Sequence, residues 1–375
     1  MIPHLQEQVN HSSNWREILS RCISTGNELA KYLPVQAQTI DQIIARYPMR
    51  IPSYYLSLIR SPDDPLGRQA VPSIAELTDT IFNEDPLAED KQTPVPCLVH
   101  RYPDRVLFWV SNQCAMYCRF CMRKRRIGMA DTVSEAVMDR AFGYIHDHAT
   151  VREVVLSGGD PLLLENDALK RILTTLRKAS HVEVIRIHTR APCTLPQRID
   201  KPLAELLKAF HPVYINIHFN HPDEITPRTA HACALLADAG IALGSQSVLL
   251  KGVNDDPQTI GRLMRALLRI RVKPYYLHHA DPVRSTGHFR TSIERGLDIM
   301  RSLRGHLSGM CVPQYMIDLP EGGGKIPLLP EYVKDRSCGE IIVENYQGRA
   351  YRYPAEVYFD SGTRGPKTRI TWGRY

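Results

Sequence analysis

Short apolar runs that alternate with amphipathic helical stretches constrain the fold of the middle of this chain. The helical stretches have recognisable starts: Asp200-Lys-Pro and Asp256-Pro each precede one, and Thr291-Ser-Ile-Glu294 has capping-box spacing before a third. Six or so β-α repeats predict a parallel sheet, either doubly wound or a complete or partial barrel, with chemistry at the C-terminal ends of its strands. The apolar runs are Val106–Val110, Val154–Leu156, Val182–Ile187, Val213–Phe219, Ile241–Leu250 and Pro274–Leu277.

The segments that flank this array differ from it. Over 1–94, apolar residues recur at helical spacing and X-Pro joints divide the pattern into short helices. After Asp318 the chain is glycine-rich, then strand-like at Ile341-Ile-Val-Glu-Asn, and it ends in a basic tail. We therefore predict a helical N-terminal region over 1–94, a β/α core over 95–318 and a C-terminal segment over 319–375.

Composition excludes several classes of protein. The 375 residues are 43% apolar and 23% charged, which is ordinary globular usage. No apolar stretch approaches the ~20 residues of a membrane-spanning helix, and the N-terminus lacks the apolar run of a secretory signal. We therefore predict a cytoplasmic location. The net charge of 47 − 40 = +7 favours anionic partners, and nine cysteines without an export signal favour metal or catalytic use over disulfides.

The cysteine motif Cys114-Ala-Met-Tyr-Cys118-Arg-Phe-Cys121 follows the first predicted core strand. Three thiolates in one loop can converge on a soft metal centre. A structural zinc site requires four closed ligands, and no fourth Cys or His lies nearby at the usual spacing. Three thiolates on a four-iron cluster leave one iron open. The spacing therefore favours an iron–sulfur cluster over a zinc site or three incidental cysteines.

Two glycine-rich segments are further candidates. Gly158-Gly159-Asp160 follows the second core strand and by itself is typical of a turn. In Gly322-Gly323-Gly324-Lys325 the glycines let the backbone approach a flat ligand and present the amine. Pro327 and the missing Ser or Thr argue against a phosphate-binding P-loop. A lysine held in this way could form a Schiff base with pyridoxal 5′-phosphate; the alternative is a flexible basic loop.

Together these motifs resemble the radical S-adenosylmethionine superfamily and, within it, the lysine 2,3-aminomutase family. The resemblance extends from about Tyr55 to Tyr332, some three-quarters of the chain. The other motifs that carry it are His100-Arg-Tyr-Pro-Asp-Arg-Val, Arg190-Ala-Pro, Leu195-Pro-Gln-Arg-Ile, His218-Phe-Asn-His-Pro-Asp-Glu-Ile, Gln246-Ser-Val-Leu-Leu-Lys-Gly-Val-Asn-Asp, Pro274-Tyr-Tyr, His288-Phe-Arg-Thr, Leu303-Arg-Gly-His and Cys311-Val-Pro.

The resemblance implies an α/β fold, a partial (β/α)6 TIM-type barrel, and three cofactors: a [4Fe-4S] cluster, S-adenosylmethionine and pyridoxal phosphate. Cys114, Cys118 and Cys121 match the cluster ligands, and Lys325 matches the lysine that links to pyridoxal phosphate. Two arginines suit a phosphate dianion because guanidinium groups pair phosphate oxygens bidentately. The other cofactor-binding positions it implies are Arg101, Tyr102 and Arg105 for the phosphate, and Gly158, Gly159, Asp160, Arg190, His218 and Gln246 around S-adenosylmethionine.

The resemblance also implies three substrate-binding residues. Arg123 matches the arginine that receives the substrate α-carboxylate, although Arg123-Lys-Arg-Arg126 could also form a nucleic-acid patch. Asp281 and Asp318 match the two carboxylates that hold the ε-ammonium of lysine. Two carboxylates would select for a cationic side-chain end, which glutamate-acting relatives would not need.

The function implied is that of an isomerase, a lysine 2,3-aminomutase that interconverts L-lysine and L-β-lysine by radical 1,2-amino migration. Arginine 2,3-aminomutase and the β-lysine-forming enzyme that serves elongation factor P are alternatives. A zinc- or nucleic-acid-binding module is the alternative from another class. The implied partners are an amino-acid substrate, an electron donor such as flavodoxin or ferredoxin, and a second copy of the chain, with no nucleic acid and no membrane.

Three departures from the family pattern bear on these expectations. The long form of the family carries a cysteine at the position of Asp256 and a cysteine-rich tail, which together bind an inter-subunit zinc ion. This chain has neither, so we expect no structural zinc. At the positions of Phe120 and His278 the lysine enzyme has other residues, and at the position of Glu321 it has the first glycine of the glycine-rich loop. These differences near the pocket are compatible with another cationic substrate such as arginine.

Overall fold

The computed structural model describes residues 14–129, 133–337 and 339–355. Short helices, interrupted by prolines and turns, lie between residues 15 and 78 of the N-terminal region. Their bounds are α1 Trp15–Ser20, α2 Gly26–Leu29, α3 Ala37–Ile44, α4 Ser53–Leu56, α5 Gly67–Ala70 and α6 Ala75–Thr78.

A nine-stranded sheet forms the centre of the molecule, and its spatial order follows the order of the chain. The seven strands from β2 to β8 are parallel, whereas β1 and β9 lie antiparallel at the two edges. The bounds are β1 Leu98–Tyr102, β2 Arg105–Ser111, β3 Glu153–Gly158, β4 Val184–Thr189, β5 Val213–Ile217, β6 Ala242–Leu249, β7 Lys273–His279, β8 Gln314–Leu319 and β9 Gly324–Pro327.

Helices connect the parallel strands, as β-α repeats require. They are α7 Glu135–Asp147, α8 Asn166–Lys178, α9 Ala191–Thr194, α10 Lys201–Lys208, α11 Pro227–Asp238, α12 Pro257–Arg269 and α13 Ile293–Leu303. Single 3-10 turns cover Asp90–Gln92, Pro161–Leu163, Pro196–Arg198, Pro222–Glu224, Gly287–Phe289, Gly309–Cys311 and Pro320–Gly322.

The predicted partial α/β barrel is confirmed, and the strand order distinguishes it from a doubly wound sheet. A doubly wound sheet reverses its strand order at a switch point, whereas here every strand pairs with its neighbour in the chain. Among the described strands β1 does not pair with β9, so the barrel stays open. All six predicted runs lie on β2 to β7. The seventh parallel strand, β8, was not predicted because its polar ends leave only a short apolar centre.

Two of the three predicted helix starts are confirmed. Asp200 accepts a hydrogen bond from the Leu203 amide at 2.9 Å, and Asp256 accepts one from the Thr259 amide at 2.9 Å. The third helix begins one residue later than its capping box predicts. Ser292 is the N-cap, since its hydroxyl accepts from the Arg295 amide at 3.1 Å.

One hydrophobic core joins the N-terminal helices to the barrel. Leu29 and Tyr55 are fully buried in the same cluster as Phe108 and Ile215. A separate antiparallel sheet follows, consisting of β10 Val333–Ser337, β11 Glu340–Glu344 and β12 Ala350–Pro354, and the predicted strand at Ile341 is its central strand. Cys338 and the basic tail after 355 lie outside the described residues. Over the residues described, no helix is long and apolar enough to cross a membrane.

Candidate active site

A cavity of about 530 Å³ lies inside the barrel and extends to the C-terminal ends of its strands. Its position agrees with the expectation for parallel β/α barrels. Every residue that the sequence identified as a cofactor, metal or substrate ligand lines it: Arg101, Tyr102, Arg105, Cys114, Cys118, Cys121, Arg123, Gly158, Gly159, Asp160, Arg190, His218, Gln246, Asp281, Asp318 and Lys325.

The three cysteines lie together in the loop after β2. Burial raises the pKa of Cys114 well above its usual value and that of Cys121 to about 11, so these thiols need a metal or a positive charge to ionise. Arg190 places a positive charge at the same loop, since its Nη1 donates to Cys118 Sγ at 2.8 Å. Within the described ranges no three acidic, His or Cys side chains are grouped closely enough for a single metal ion. Three thiols that share a cavity wall at wider spacing suit the corners of a four-iron cluster, where each iron takes its own cysteine.

The glycine turn at the end of β3 requires both of its glycines. Gly158 has φ +112°, and a Cβ there would lie 2.4 Å from the Ser111 carbonyl oxygen. A Cβ on Gly159 would lie 2.3 Å from the carbonyl oxygen of Gln113, next to Cys114. The turn therefore packs its backbone directly against the cysteine loop and leaves bare backbone along the cavity.

Asp160 organises this turn from within. One carboxylate oxygen accepts from the Leu162 amide at 3.1 Å and from Thr189 Oγ1 at 2.7 Å, and the other accepts from the Arg190 amide at 2.8 Å. Both oxygens are engaged with the protein, so the carboxylate ties the end of β3 to the end of β4. Burial raises the pKa of Asp160, and these hydrogen bonds oppose the rise.

Two histidines and one amide form a neutral polar group in the cavity wall. Gln246 Nε2 lies 2.7 Å from His218 Nε2 and 3.1 Å from His188 Nδ1. Burial lowers the pKa of His218 to about 3 and that of His188 well below its usual value. With His188 Nδ1 accepting from Gln246, its proton is assigned to Nε2. That Nε2 is buried and has no partner among the described residues, so it is a hydrogen-bond donor available to a ligand.

Arg123 is fixed in a buried ion pair with Glu89. Its Nη2 lies 2.6 Å from Glu89 Oε1, its Nε contacts both carboxylate oxygens, and its Nη1 donates to Ser157 Oγ at 3.2 Å. Burial raises the pKa of Glu89, but Arg123 outweighs this effect and lowers the pKa to about 2. Glu89 was not predicted from the sequence.

Lys325 and Asp318 face each other across the β8–β9 hairpin. They are register partners, and Lys325 Nζ lies 2.6 Å from Asp318 Oδ1. The Lys325 amide donates to the Tyr102 hydroxyl at 2.8 Å, which ties β9 to β1. Arg105 lies over the Tyr102 ring at 4.0 Å, and Arg101 contacts Asp318 at 3.7 Å. Of the predicted phosphate-binding residues, Tyr102 therefore contacts Lys325 directly, whereas Arg101 and Arg105 contact its neighbours.

Asp281 differs from Asp318 in its surroundings. Among the described residues its carboxylate has no hydrogen bond or ion pair, although it lines the same cavity. Burial and the nearby charge of Asp318 raise the pKa of Asp281 to about 7. His278 lies 3.8 Å from Asp318, and burial together with Lys325 lowers the pKa of His278 to about 3. A neutral His278 leaves the two carboxylates to set the charge at this end of the cavity.

Comparison with known proteins agrees with this site. L-lysine 2,3-aminomutase of Clostridium subterminale is 44% identical over 93% of this chain and 86% of its own. The chain belongs to the lysine 2,3-aminomutase family. Residues 110–264 match the model of the radical SAM superfamily, and residues 300–366 match that of lysine-2,3-aminomutase.

Other relatives within the lysine 2,3-aminomutase family differ in their named substrate. The L-lysine 2,3-aminomutase of Acetoanaerobium sticklandii is 46% identical over 90% of this chain and 83% of its own. The glutamate 2,3-aminomutase of Clostridioides difficile is 40% identical over 93% of this chain and 84% of its own. This lysine 2,3-aminomutase family member is a radical S-adenosylmethionine enzyme and an isomerase with a small-molecule substrate, and the superfamily match supports S-adenosylmethionine and a four-iron cluster.

His188 and Glu89 line the cavity but were not predicted from the sequence. A sequence signal exists for His188 and not for Glu89. His188 lies at the end of β4, directly before Thr189 and Arg190, so the rule that chemistry collects at strand ends would have identified it. Glu89 lies in an irregular acidic segment, and only the folded structure brings it to Arg123. No local signal in the sequence identifies it.

Proposed function

We propose that this protein interconverts L-lysine and L-β-lysine by radical 1,2-amino migration, as a lysine 2,3-aminomutase. The observation that carries the proposal is that Arg123, Asp281 and Asp318 line the same cavity as the predicted cofactor lysine Lys325. Arg123 suits the α-carboxylate, and Asp281 and Asp318 suit a distal ammonium. Sequence identity alone does not choose the substrate, because lysine and glutamate enzymes are similarly close.

The same arrangement argues against glutamate. A glutamate side chain in this position would bring a third carboxylate to Asp281 and Asp318, where like charges in a buried site repel. Arginine, the other candidate, also carries a distal cation and is longer than lysine. The relatives named for L-lysine are 44% and 46% identical to this chain, which favours lysine over arginine.

In this proposal each group of residues has one task. Cys114, Cys118 and Cys121 hold the cluster, and the Gly158-Gly159 backbone together with the His188–Gln246–His218 group lines the S-adenosylmethionine site. Arg101, Tyr102 and Arg105 surround pyridoxal phosphate, which links to Lys325. When bound, the cluster and S-adenosylmethionine would supply the radical that starts the migration, and pyridoxal phosphate would supply the carbonyl carbon that carries the migrating nitrogen.

The protein's own contribution is placement. Glu89 and Ser157 fix the Arg123 guanidinium, so the substrate carboxylate meets an arginine that is already oriented. Asp318 pairs with the Lys325 ammonium in the present structure, whereas Asp281 has no ion pair among the described residues. We therefore assign the primary contact with the distal ammonium of the substrate to Asp281.

The test is an anaerobic assay with dithionite and S-adenosylmethionine that offers lysine, arginine, ornithine and glutamate side by side. We expect lysine to react fastest; preference for glutamate over both cationic amino acids would contradict the roles of Asp281 and Asp318. Lys325→Ala should abolish activity and the absorbance of the linked cofactor but retain the iron. Lys201→Ala, at an exposed position on α10, is the matched control and should retain both.

The proposal includes a one-electron donor such as flavodoxin or ferredoxin, because reductive cleavage of S-adenosylmethionine consumes an electron. An oxygen-sensitive cluster of this kind also supports a cytoplasmic location. Replacing dithionite by a reduced flavodoxin or ferredoxin should sustain turnover. Activity with dithionite alone and none with either protein would contradict this part of the proposal.

A further inference from the structure

Three charged side chains form a buried group beside the cysteine loop, outside the cavity. Glu76 is on α6 in the N-terminal region, and its side chain has no exposed surface. Arg119 and Lys124 come from the cysteine loop, and their side chains are 1% and 7% exposed. Two cations therefore share one carboxylate in the interior.

Every polar atom of this group has a partner. Glu76 Oε1 accepts from Arg119 Nε at 2.9 Å and from the Ser73 amide at 2.9 Å, and Oε2 accepts from Arg119 Nη2 and from Lys124 Nζ, the latter at 2.5 Å. Arg119 also donates to two backbone carbonyls in the segment that follows α3. Its Nη1 donates to Pro48 at 2.8 Å, and its Nη2 donates to Tyr47 at 3.2 Å.

The backbone of the cysteine loop is tied into the same group. Arg119 lies between Cys118 and Cys121, and its amide donates to the Gln69 carbonyl at 2.9 Å. Lys124 Nζ donates back to the Arg119 carbonyl at 3.0 Å, and the Lys124 amide contacts the Cys121 carbonyl at 3.3 Å. The group therefore fixes the part of the loop that carries two of the three cysteines.

Stability alone does not explain such a group. Buried ion pairs lose hydration that their mutual attraction only partly restores, and apolar replacements are often equally stable. A cysteine loop, in contrast, has little regular structure of its own to fix its ligands. We propose that Glu76 is a positioning residue for the iron–sulfur cluster, and that it fixes the cysteine loop through Arg119 and Lys124 and, with Lys124, sets the cluster's reduction potential.

The charges of the group predict opposite effects on that potential. A cluster that accepts an electron gains one negative charge, and net charge near a cluster is among the factors that set its potential. The Lys124 ammonium stabilises the reduced form, and the Glu76 carboxylate destabilises it. Loss of one charge should therefore shift the potential in the direction opposite to loss of the other.

The experiment is a redox titration of the reconstituted holoenzyme, followed by the electron paramagnetic resonance of the reduced cluster, with iron content measured in parallel. We expect Lys124→Gln to shift the midpoint to a more negative potential and Glu76→Gln to a more positive one. Lys124→Arg keeps the charge and should restore the wild-type midpoint. Arg177→Gln is the matched control, because Arg177 is half-buried and donates to the Phe210 and Pro212 carbonyls before β5, at the opposite end of the barrel.

Shifts of Lys124→Gln and Glu76→Gln in the same direction, or no shift in either, would overturn the proposal. If Glu76→Gln does not retain iron, the test is the comparison of Lys124→Gln with Lys124→Arg. Equal midpoint potentials in these two variants would overturn the proposal. The inference rests on the cluster of the proposed function but not on its substrate. A failed lysine assay with normal redox shifts would therefore refute the substrate and leave this inference standing.

Discussion

The carboxyl group of Asp281 gives the sharpest test of the substrate assignment. Raising its pKa from the usual 3.8 to about 7 corresponds to roughly 4 kcal/mol of disfavoured ionisation. A bound ammonium next to the carboxylate returns part of that free energy, because an opposite charge favours the ionised form. We therefore expect the affinity for lysine to depend on the fraction of Asp281 that is ionised.

The direction and size of the effect follow from the pKa. The ionised fraction rises from about one tenth at about pH 6 to about nine tenths at about pH 8. The dissociation constant for lysine should therefore fall about tenfold over this range. Asp281→Asn should remove that pH dependence and weaken binding by roughly 1.5–3 kcal/mol, as expected for a lost hydrogen bond to a charged group.

Equilibrium dialysis with labelled lysine, on the cofactor-loaded enzyme without S-adenosylmethionine, measures binding without turnover. L-Norleucine, which has the lysine chain but no distal amine, is the matched ligand and should bind with no such pH dependence. A tenfold change that persists in Asp281→Asn, or that norleucine shows equally, would refute the assignment of the distal ammonium to Asp281.

Two further predictions concern stability. Glu89→Gln should lower the free energy of unfolding by roughly 3 kcal/mol at neutral pH, because the pKa of Glu89 in the folded protein is lowered to about 2. The ionised carboxylate stabilises the fold above about pH 4.5, so in chemical denaturation the difference from wild type should vanish as the pH falls towards 2. A difference that stays constant with pH would contradict the ion pair. Gly159→Ala should destabilise the protein by roughly 1–3 kcal/mol because its Cβ meets the Gln113 carbonyl at 2.3 Å. Gly143→Ala, in α7 with open space around the Cβ, is the control, and equal melting temperatures for the two variants would argue against a tightly packed turn.

The sequence predicts the parallel core well because its signals are local. Short apolar runs predict the strands, and the aspartates at the starts of α10 and α12 cap helices that begin at the next residue. The start of α13 shows the limit of such signals. Thr291 and Ser292 are both suitable caps, and the choice between their hydroxyls depends on the exact backbone geometry.

The candidate site was predictable wherever a motif or a strand end indicated it. All of those residues line one cavity. Glu76 and Glu89 could not be predicted, because a carboxylate in a polar segment looks like a surface residue until folding buries it. Each pairs with a cation more than thirty residues away along the chain, and such pairings are tertiary features with no local pattern.

The direct pairing of Asp318 with Lys325 across the hairpin has a consequence for changes in loop length. Successive side chains of a strand point to opposite faces. One residue inserted between Leu319 and Gly324 would either turn Lys325 away from the cavity or force a bulge into the hairpin. Two inserted residues would restore its face but displace the amine by about 7 Å along β9. The length of this loop therefore determines where the Lys325 amine lies in the cavity. Engineered variants of the loop should change its residues but keep their number.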